Sequence, residues 1–314
     1  MKNILHKAGW IDDTLIITSL GERVFERGPG PFGIIGAYLP YTSQLDKIIS
    51  QNILQSHVNR GANVAASQDA NRKTFLTAND SLDTFCKDYH FQYSVFIEHA
   101  IGQGEATRQR FEKDGEKNIQ YFGADLENDA LEKAKEQQKL GYLPHNMQFI
   151  SQADIGEPQK VISAIRLSGF STELAVMMVG NGFHEIRRQT NEKMIQVFEE
   201  YEKAGMIVIF TEETGLSDQD LLSTAFNTYH AGFRYVHELS GQGLRPAYDT
   251  PNENRYSWKK CAELAGYQCL DKYMTKTRSI YPYPKKDGYN PCVSMNYFCV
   301  PKIFFEKYVL ENKK

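Results

Sequence analysis

A chain of 314 residues, 41% apolar and 24% charged, is long enough for one large α/β domain plus a smaller region, and its balance excludes a disordered or fibrous protein. Its formal net charge of −3 gives no general pull toward phosphate backbones or anionic lipid, so neither nucleic acid nor membrane is an expected partner. Cys86, Cys261, Cys269, Cys292 and Cys299 contain no CxxC pair and are odd in number, which reads as reduced, mostly buried thiols.

The opening MKNILHKAGW has no apolar run of signal-peptide length, and no stretch reaches membrane-spanning length, so a cytoplasmic location is expected. DDTLIITSLGERVFERG reads as a short strand or wing and then a brief helix, closed by the breaker run GPGPFG. YTSQLDKIISQNILQS sets Leu45, Ile48, Ile49 and Ile53 at helical spacing. NRGANVAASQDANRKTF is polar and rich in small residues, and reads as a connection between that helix and a second one at SLDTFCKDYH. Residues 1–85 are expected to form a helical or winged-helix-like N-terminal region, and 86–314 the main domain.

From Gln92 onward strands alternate with helices. YSVFIEH is a short apolar run, closed by a glycine turn and followed by the helix EATRQRFEKDG; IQYFGAD repeats the scheme with ENDALEKAKEQQKLG. MQFISQAD, LAVMMVG and MIVIFTEE supply three more buried strands. SWKKCAELAGYQCLDKYMTKTR is a helix, a Gly-Tyr turn and a strand, and SMNYFCVPK is a last strand. About seven strands interleaved with helices predict an α/β fold with a doubly wound, mostly parallel sheet covered on both faces.

Ligands of such a sheet bind at the carboxyl ends of the strands, near the point where strand order reverses. The first strand ends in Glu98-His99-Ala100-Ile101-Gly102-Gln103-Gly104. Two closely spaced glycines admit a ligand to the backbone, and the next helix offers free N–H groups to a carboxylate. The second strand ends at Asp125, followed by Leu126; an acid about 20 residues past a glycine turn suits a two-pronged grip on ribose hydroxyls. Asp154, followed by Ile155, ends the third strand and can accept from an adenine amino group, and Gly180 ends the fourth.

This series resembles the class I S-adenosylmethionine-dependent methyltransferase pattern, in which D/E-x-G-x-G-x-G precedes an acid after strand two and another after strand three. On that likeness Glu98 is the leading acid, Ala100 stands in place of the first glycine, and Gly102 and Gly104 are the second and third. Asp125 becomes the ribose acid and Asp154 the adenine-side acid. The implied cofactor is S-adenosyl-L-methionine, with Leu126, Ile155 and Gly180 beside it. VGNGFHEI is similar to the segment after strand four of small-molecule methyltransferases, YEKAGMIVIFTEE to their helix and fifth strand, and AELAGYQCLDKY to their turn into strand six. The likeness spans about Gln92 to Lys302. In related enzymes an N-terminal segment folds across the cofactor, which is a second reading of residues 59–75. Other nucleotide folds fit less well: a GxGxxG would need glycine at Thr107, and neither GxxxxGK[ST] nor the metal motif HExxH is present.

The longest insertion, about 215–257, contains AFNTYHAGFRYVHELSGQGLRP. His230 and His237 lie two helical turns apart among Tyr229, Phe233, Arg234, Tyr235 and Glu238. This is either a lid supplying aromatic surface, a base and a cation, or an amphipathic helix with satisfied histidines. His184, beside Glu185 after strand four, either takes a proton from a methyl acceptor or packs and caps. His184, His237 and His230 are thus the candidate catalytic residues, while His99 is expected only to shape the methionine pocket. Glu212 and Glu213 read equally well as surface carboxylates. Amino-methylating nucleic-acid enzymes of this fold carry [DNS]-PP-[FYW] after strand four, where this chain has Gly180-Asn181-Gly182-Phe183, and Pro291-Cys292 is misplaced for cytosine-C5 chemistry. A small-molecule acceptor is therefore expected, aromatic or partly apolar, with a homodimer open. The alternatives are a non-catalytic adenosyl-binding partner protein and another group transfer on the same fold.

Overall fold

The computed structural model describes residues 2–26, 36, 39, 43–51, 60–115, 117–223, 237, 242–249, 254–279 and 291–311. The chain divides into two compact units, Met1–Ala70 and Asn71–Lys314.

In the first unit, α1 (Lys2–Lys7) and α2 (Ser19–Glu26) flank a tight turn. Ile11 and Ile17 form an isolated antiparallel bridge, and the Asp12 carboxylate closes the turn by accepting from the Thr14 and Ile16 amides. The brief helix expected in that stretch is α2, whereas the expected short strand or wing amounts to this single bridge. A third helix, α3 (Leu45–Gln51), lies inside the apolar-periodic segment.

From Arg60 on, the polar stretch expected as a connection is instead the start of a long helix, α4 (Arg60–Tyr89). Alanines together with Gln68, Arg72 and Lys73 favour helix, and no proline interrupts it, so polarity alone did not mark a loop. The expected domain boundary after residue 85 falls inside this helix. From Asn71 on, Phe75, Ala78, Leu82 and Phe85 recur on one face and are buried with Tyr273 and Phe298 in a single core cluster. The Phe85 ring lies 4.9 Å from that of Phe298 and 5.5 Å from that of Tyr273. That burial makes the end of α4 part of the sheet-bearing unit.

The elements after α4 are β1 (Val95–His99), α5 (Glu105–Asp114), β2 (Gln120–Ala124), α6 (Asn128–Lys139), β3 (Gln148–Ile150), α7 (Pro158–Leu167) and β4 (Val176–Gly180). Then come α8 (Asn191–Lys203), β5 (Ile207–Glu213), α9 (Asp218–Ser223), α10 (Trp258–Leu264), β6 (Tyr267–Cys269), β7 (Thr275–Ser279), β8 (Cys292–Pro301) and α11 (Lys302–Glu311). The strand order is β3-β2-β1-β4-β5-β8-β6. It is parallel from β3 to β5, while β8 runs antiparallel to both β5 and β6. This is the expected doubly wound, mostly parallel sheet, with, among the described residues, one strand more than the expected seven. The extra strand is β7, which pairs with the first half of β8 and carries a bulge between Lys276 and Arg278.

Both faces are covered. On β1, Val95 and Ile97 enter one core with residues of α7, α8 and α10, and Phe96 enters the other with α4 and α5. This is the alternation a strand requires. Strand order reverses between β1 and β4, which opens the carboxyl edge of the sheet there. Among the described residues no helix is long and apolar enough to cross a membrane.

Candidate functional site

The carboxyl ends of β1, β2 and β3 form the first half of the site. After β1 the backbone enters the left-handed region at Ala100 (φ 58°), Gly102 (φ 54°) and Gly104 (φ 84°), and Gly104 caps the start of α5. Such a path suits glycine and admits a ligand close to the main chain. Ala100 follows it with a side chain. Beneath the loop, one Glu98 carboxylate oxygen accepts from the Ala106 amide (3.2 Å) and the other from the Thr107 amide (2.7 Å). Burial pushes Glu98 up to about 7, although those amides pull the other way. Glu98 thus fastens the loop to the helix from inside rather than presenting an open carboxylate.

Asp125 joins the glycine loop to the end of β2. One oxygen accepts from the Gly102 amide (3.0 Å) and the other from the Glu127 amide (2.9 Å). Burial raises this carboxyl above its ordinary value. Each oxygen keeps acceptor capacity for a further donor. The neighbouring Leu126 is 40% exposed, an apolar surface beside the acid. Asp154 is half-buried and accepts from the Gly156 amide at 2.7 Å, whereas Ile155 buries its side chain in the core. Gly180 ends β4, and the Phe75 ring occupies the space a side chain there would need.

His99 is fully enclosed at the end of β1. Its Nε2 lies 3.1 Å from the Ala153 carbonyl oxygen, which can only accept, so Nε2 carries the proton and Nδ1 accepts from the Tyr201 hydroxyl at 3.2 Å. Burial depresses it to about 4, so it stays neutral and ties the loop after β3 to β1.

The second half of the site lies beyond β4. Asn181 (φ 53°) leads into a short 3-10 turn, Phe183–Glu185. The carboxylate of Glu212, near the end of β5, is wholly buried beside that turn. One oxygen accepts from the Phe183 amide (2.5 Å) and the His184 amide (3.4 Å), and the other accepts from His184 Nδ1 at 2.8 Å. His184 Nε2 stands 3.6 Å from a Glu185 oxygen. Burial by itself would depress the imidazole, but Glu212 and Glu185 outweigh it and push His184 up to about 10.

His237, also buried, has its ring centroid 5.5 Å from that of His184. His230, Tyr229, Phe233, Arg234, Tyr235 and Glu238 lie outside the described residues. The end of the insertion crosses the His184 turn: the Gly243 amide donates to the His184 carbonyl (2.9 Å), and Gln242 Nε2 donates to Glu185 (2.6 Å). Arg245 fixes that crossing. Buried, it donates to the Gln189 side chain (2.7 Å), Asn191 Oδ1 (2.8 Å) and the Thr190 carbonyl (2.8 Å).

Sequence reasoning missed Glu212 as a partner of His184, and missed Gln189 and Arg245. For Glu212 a signal was present: it stands two residues past the apolar run Met206–Phe210, at the carboxyl end of a strand parallel to β4, where such sheets hold ligands. The other two depend on side chains 56 residues apart and leave no local pattern.

No protein-family model matches the chain, and no curated protein sequence does either. Solved structures share its architecture. An O-methyltransferase family protein from Burkholderia thailandensis aligns with TM-score 0.55 at 15% identity, covering 94% of this chain and 81% of that one. The CMeT domain of citrinin polyketide synthase aligns at 0.53 and 15%, covering 95% and 76%. The CurJ carbon methyltransferase aligns at 0.51 and 14%, covering 95% and 78%. The fold is that of the class I S-adenosylmethionine-dependent methyltransferases.

Proposed function

We propose that this chain is an S-adenosylmethionine-dependent methyltransferase for a small-molecule acceptor, in which His184 is the general base and Glu212 orients it. The observation that carries the reading is the buried His184–Glu212 pair, set on the same sheet edge as the glycine loop and Asp125. The donor set suits the cofactor: left-handed backbone at Gly102 and Gly104 for close approach, a carboxylate at Asp125 for two ribose hydroxyls, and exposed apolar surface at Leu126. When bound, the cofactor supplies a methyl group already activated on a sulfonium.

The chain's own contribution is alignment, exclusion of water and handling of one proton. Glu212 accepts a hydrogen bond from His184 Nδ1–H, which leaves Nε2 as the atom that takes a proton from the acceptor's oxygen, nitrogen or acidic carbon. Because His184 is raised to about 10, its basic form becomes more populated as pH rises from neutrality, and methyl transfer should accelerate with it. His237 and the aromatic-rich insertion favour an acceptor that is itself aromatic or partly apolar.

A thermal-shift comparison tests the cofactor half of this reading. S-adenosylhomocysteine should raise the melting temperature by mass action, and more than NAD, ATP or FAD does. A shift with NAD and none with millimolar S-adenosylhomocysteine overturns it.

A further inference from the structure

The far end of the sheet holds two buried thiols that the methyl-transfer reading leaves idle. Cys269 ends β6, and its register partner across the antiparallel ladder is Cys299 of β8. The two sulfurs are 3.1 Å apart. Cys299 has no exposed surface and Cys269 is 3% exposed.

The ladder places this pair in a particular kind of site. The Leu270 amide donates to the Phe298 carbonyl, and the Lys302 amide donates to the Gly266 carbonyl. Hydrogen-bonded and non-hydrogen-bonded pairs alternate along an antiparallel ladder. With 270 opposite 298 and 266 opposite 302 both hydrogen-bonded, 269 opposite 299 falls in a non-hydrogen-bonded position. There the Cα atoms are about 4.5 Å apart and the side chains stand closest, within the roughly 4.4–6.8 Å span that a disulfide bridges. Both side chains also leave the same face of the sheet, since directly opposed residues do so.

We propose that Cys269 and Cys299 form a reversible disulfide, a covalent modification site at the edge of the sheet. The oxidant is a small-molecule disulfide. One protein thiol loses its proton and attacks it, giving a mixed disulfide and one released small thiol. The second protein thiol then loses its proton and attacks the protein sulfur of that mixed disulfide, expelling the second small thiol. Two protein thiols are oxidised and one small disulfide is reduced to two thiols, which take up the two protons.

Access comes through β6. It is three residues long, ends the strand order and pairs with β8, so local fraying of this edge exposes both sulfurs without loss of the sheet core. Burial pushes the Cys299 thiol up, so exchange in the closed state is slow. Once made, the bond is shielded and closes the chain from 269 to 299 into a loop that includes β7. Cys299 is opposite Val208, four residues before Glu212 on β5, about 13 Å along the strand, so the bond leaves the site untouched.

The test uses the full chain, incubated with glutathione disulfide, then denatured in N-ethylmaleimide and weighed intact. Untreated protein should take up five adducts, one per free cysteine, and oxidised protein three. Digestion should yield one cross-linked pair joining Cys269 to Cys299, dithiothreitol should restore five adducts, and oxidation should raise Tm by several degrees. C269S and C299S should each give no cross-linked pair after the same treatment, exchange stopping at a single glutathione adduct on the remaining cysteine of the pair, with the other three thiols reactive. Should a serine variant fail to fold, the peptide map of the natural chain decides alone. Five adducts after prolonged oxidation, a bond joining any other pair, or a bond formed only once the far-UV circular dichroism of the folded chain is lost would overturn the proposal.

Discussion

Between β1 and β3 the carboxyl edge is shaped chiefly by backbone: three left-handed residues in five, amides aimed at Glu98 and Asp125, and a neutral histidine bonded to a carbonyl. Beyond β4 the same edge is shaped by side chains. A carboxylate from β5 meets an imidazole 28 residues away, and a guanidinium from the insertion holds the turn that carries it. The first half depends on which residues tolerate positive φ and on short spacings. The second depends on burying opposite charges together, and so should respond far more strongly to the loss of one group.

Glu212→Ala is the sharpest way to test that contrast. It leaves the His184 imidazole and two amides enclosed without their acceptor, and removing one partner of a buried pair costs about 3–5 kcal/mol. Urea denaturation at neutral pH should show a loss of that order, and a loss below about 1 kcal/mol would mean that water reaches the pair. The pH dependence provides a second reading. His184 is raised above its ordinary value of 6.5 to about 10, so its contribution to stability is complete below about pH 6.5 and fades as pH climbs through about 10. Glu212→Gln keeps an acceptor for the Phe183 amide but removes the charge, and should flatten that alkaline decline. An unchanged slope would place the titration elsewhere.

Asp125→Ala probes the backbone half at the carboxylate that joins the glycine loop to the end of β2. Removing the ribose acceptor should weaken S-adenosylhomocysteine binding by about 1–3 kcal/mol, roughly 5- to 150-fold in Kd, while the fold persists. Isothermal titration reads the affinity and a melting curve the fold. If affinity holds and Tm collapses, Asp125 serves the loop through the Gly102 and Glu127 amides and not the ligand, and the two halves become alike.

How much of this the sequence disclosed follows the same division. The order of strands and helices from Gln92, the glycine loop and the acids at 125 and 154 are short-range patterns, and the structure places all of them at one sheet edge. The helix at 60–89 escaped because its first turns carry no apolar stripe, only residues that do not oppose helix. Strand β7 escaped because TKTRS has no apolar alternation and pairs only through β8. His184 was visible as a residue type in a suggestive place, and the position of Glu212 at the carboxyl end of its strand was visible too, but their pairing was not, because it depends on the register of β4 and β5 that brings the β5 end beside the turn. Glu98 was legible as part of a motif, while its inward attachment to the α5 amides was not.

The smallest expected effect lies at Ala100, where the chain departs from the three-glycine pattern. Its φ of 58° puts a Cβ in the left-handed region, which costs an L residue about 1–2 kcal/mol. Glycine removes that strain. It also enlarges the freedom of the unfolded chain, which offsets about 0.4–1 kcal/mol of the gain. A third contribution opposes the change: a Cβ placed on Gly182 would meet the Ala100 methyl at 3.3 Å, so that methyl lies beside the turn that carries His184 and its deletion thins the packing there. The balance favours a net stabilisation of about 0.5 kcal/mol for Ala100→Gly, with adenosyl affinity unchanged. Ala100→Val should lose stability, since a branched side chain fits that backbone still less well. Paired urea melts decide between the two forces. If the glycine variant is instead less stable by about 1 kcal/mol or more, packing of one methyl group outweighs backbone strain, and the glycine loop too is held by its side chains.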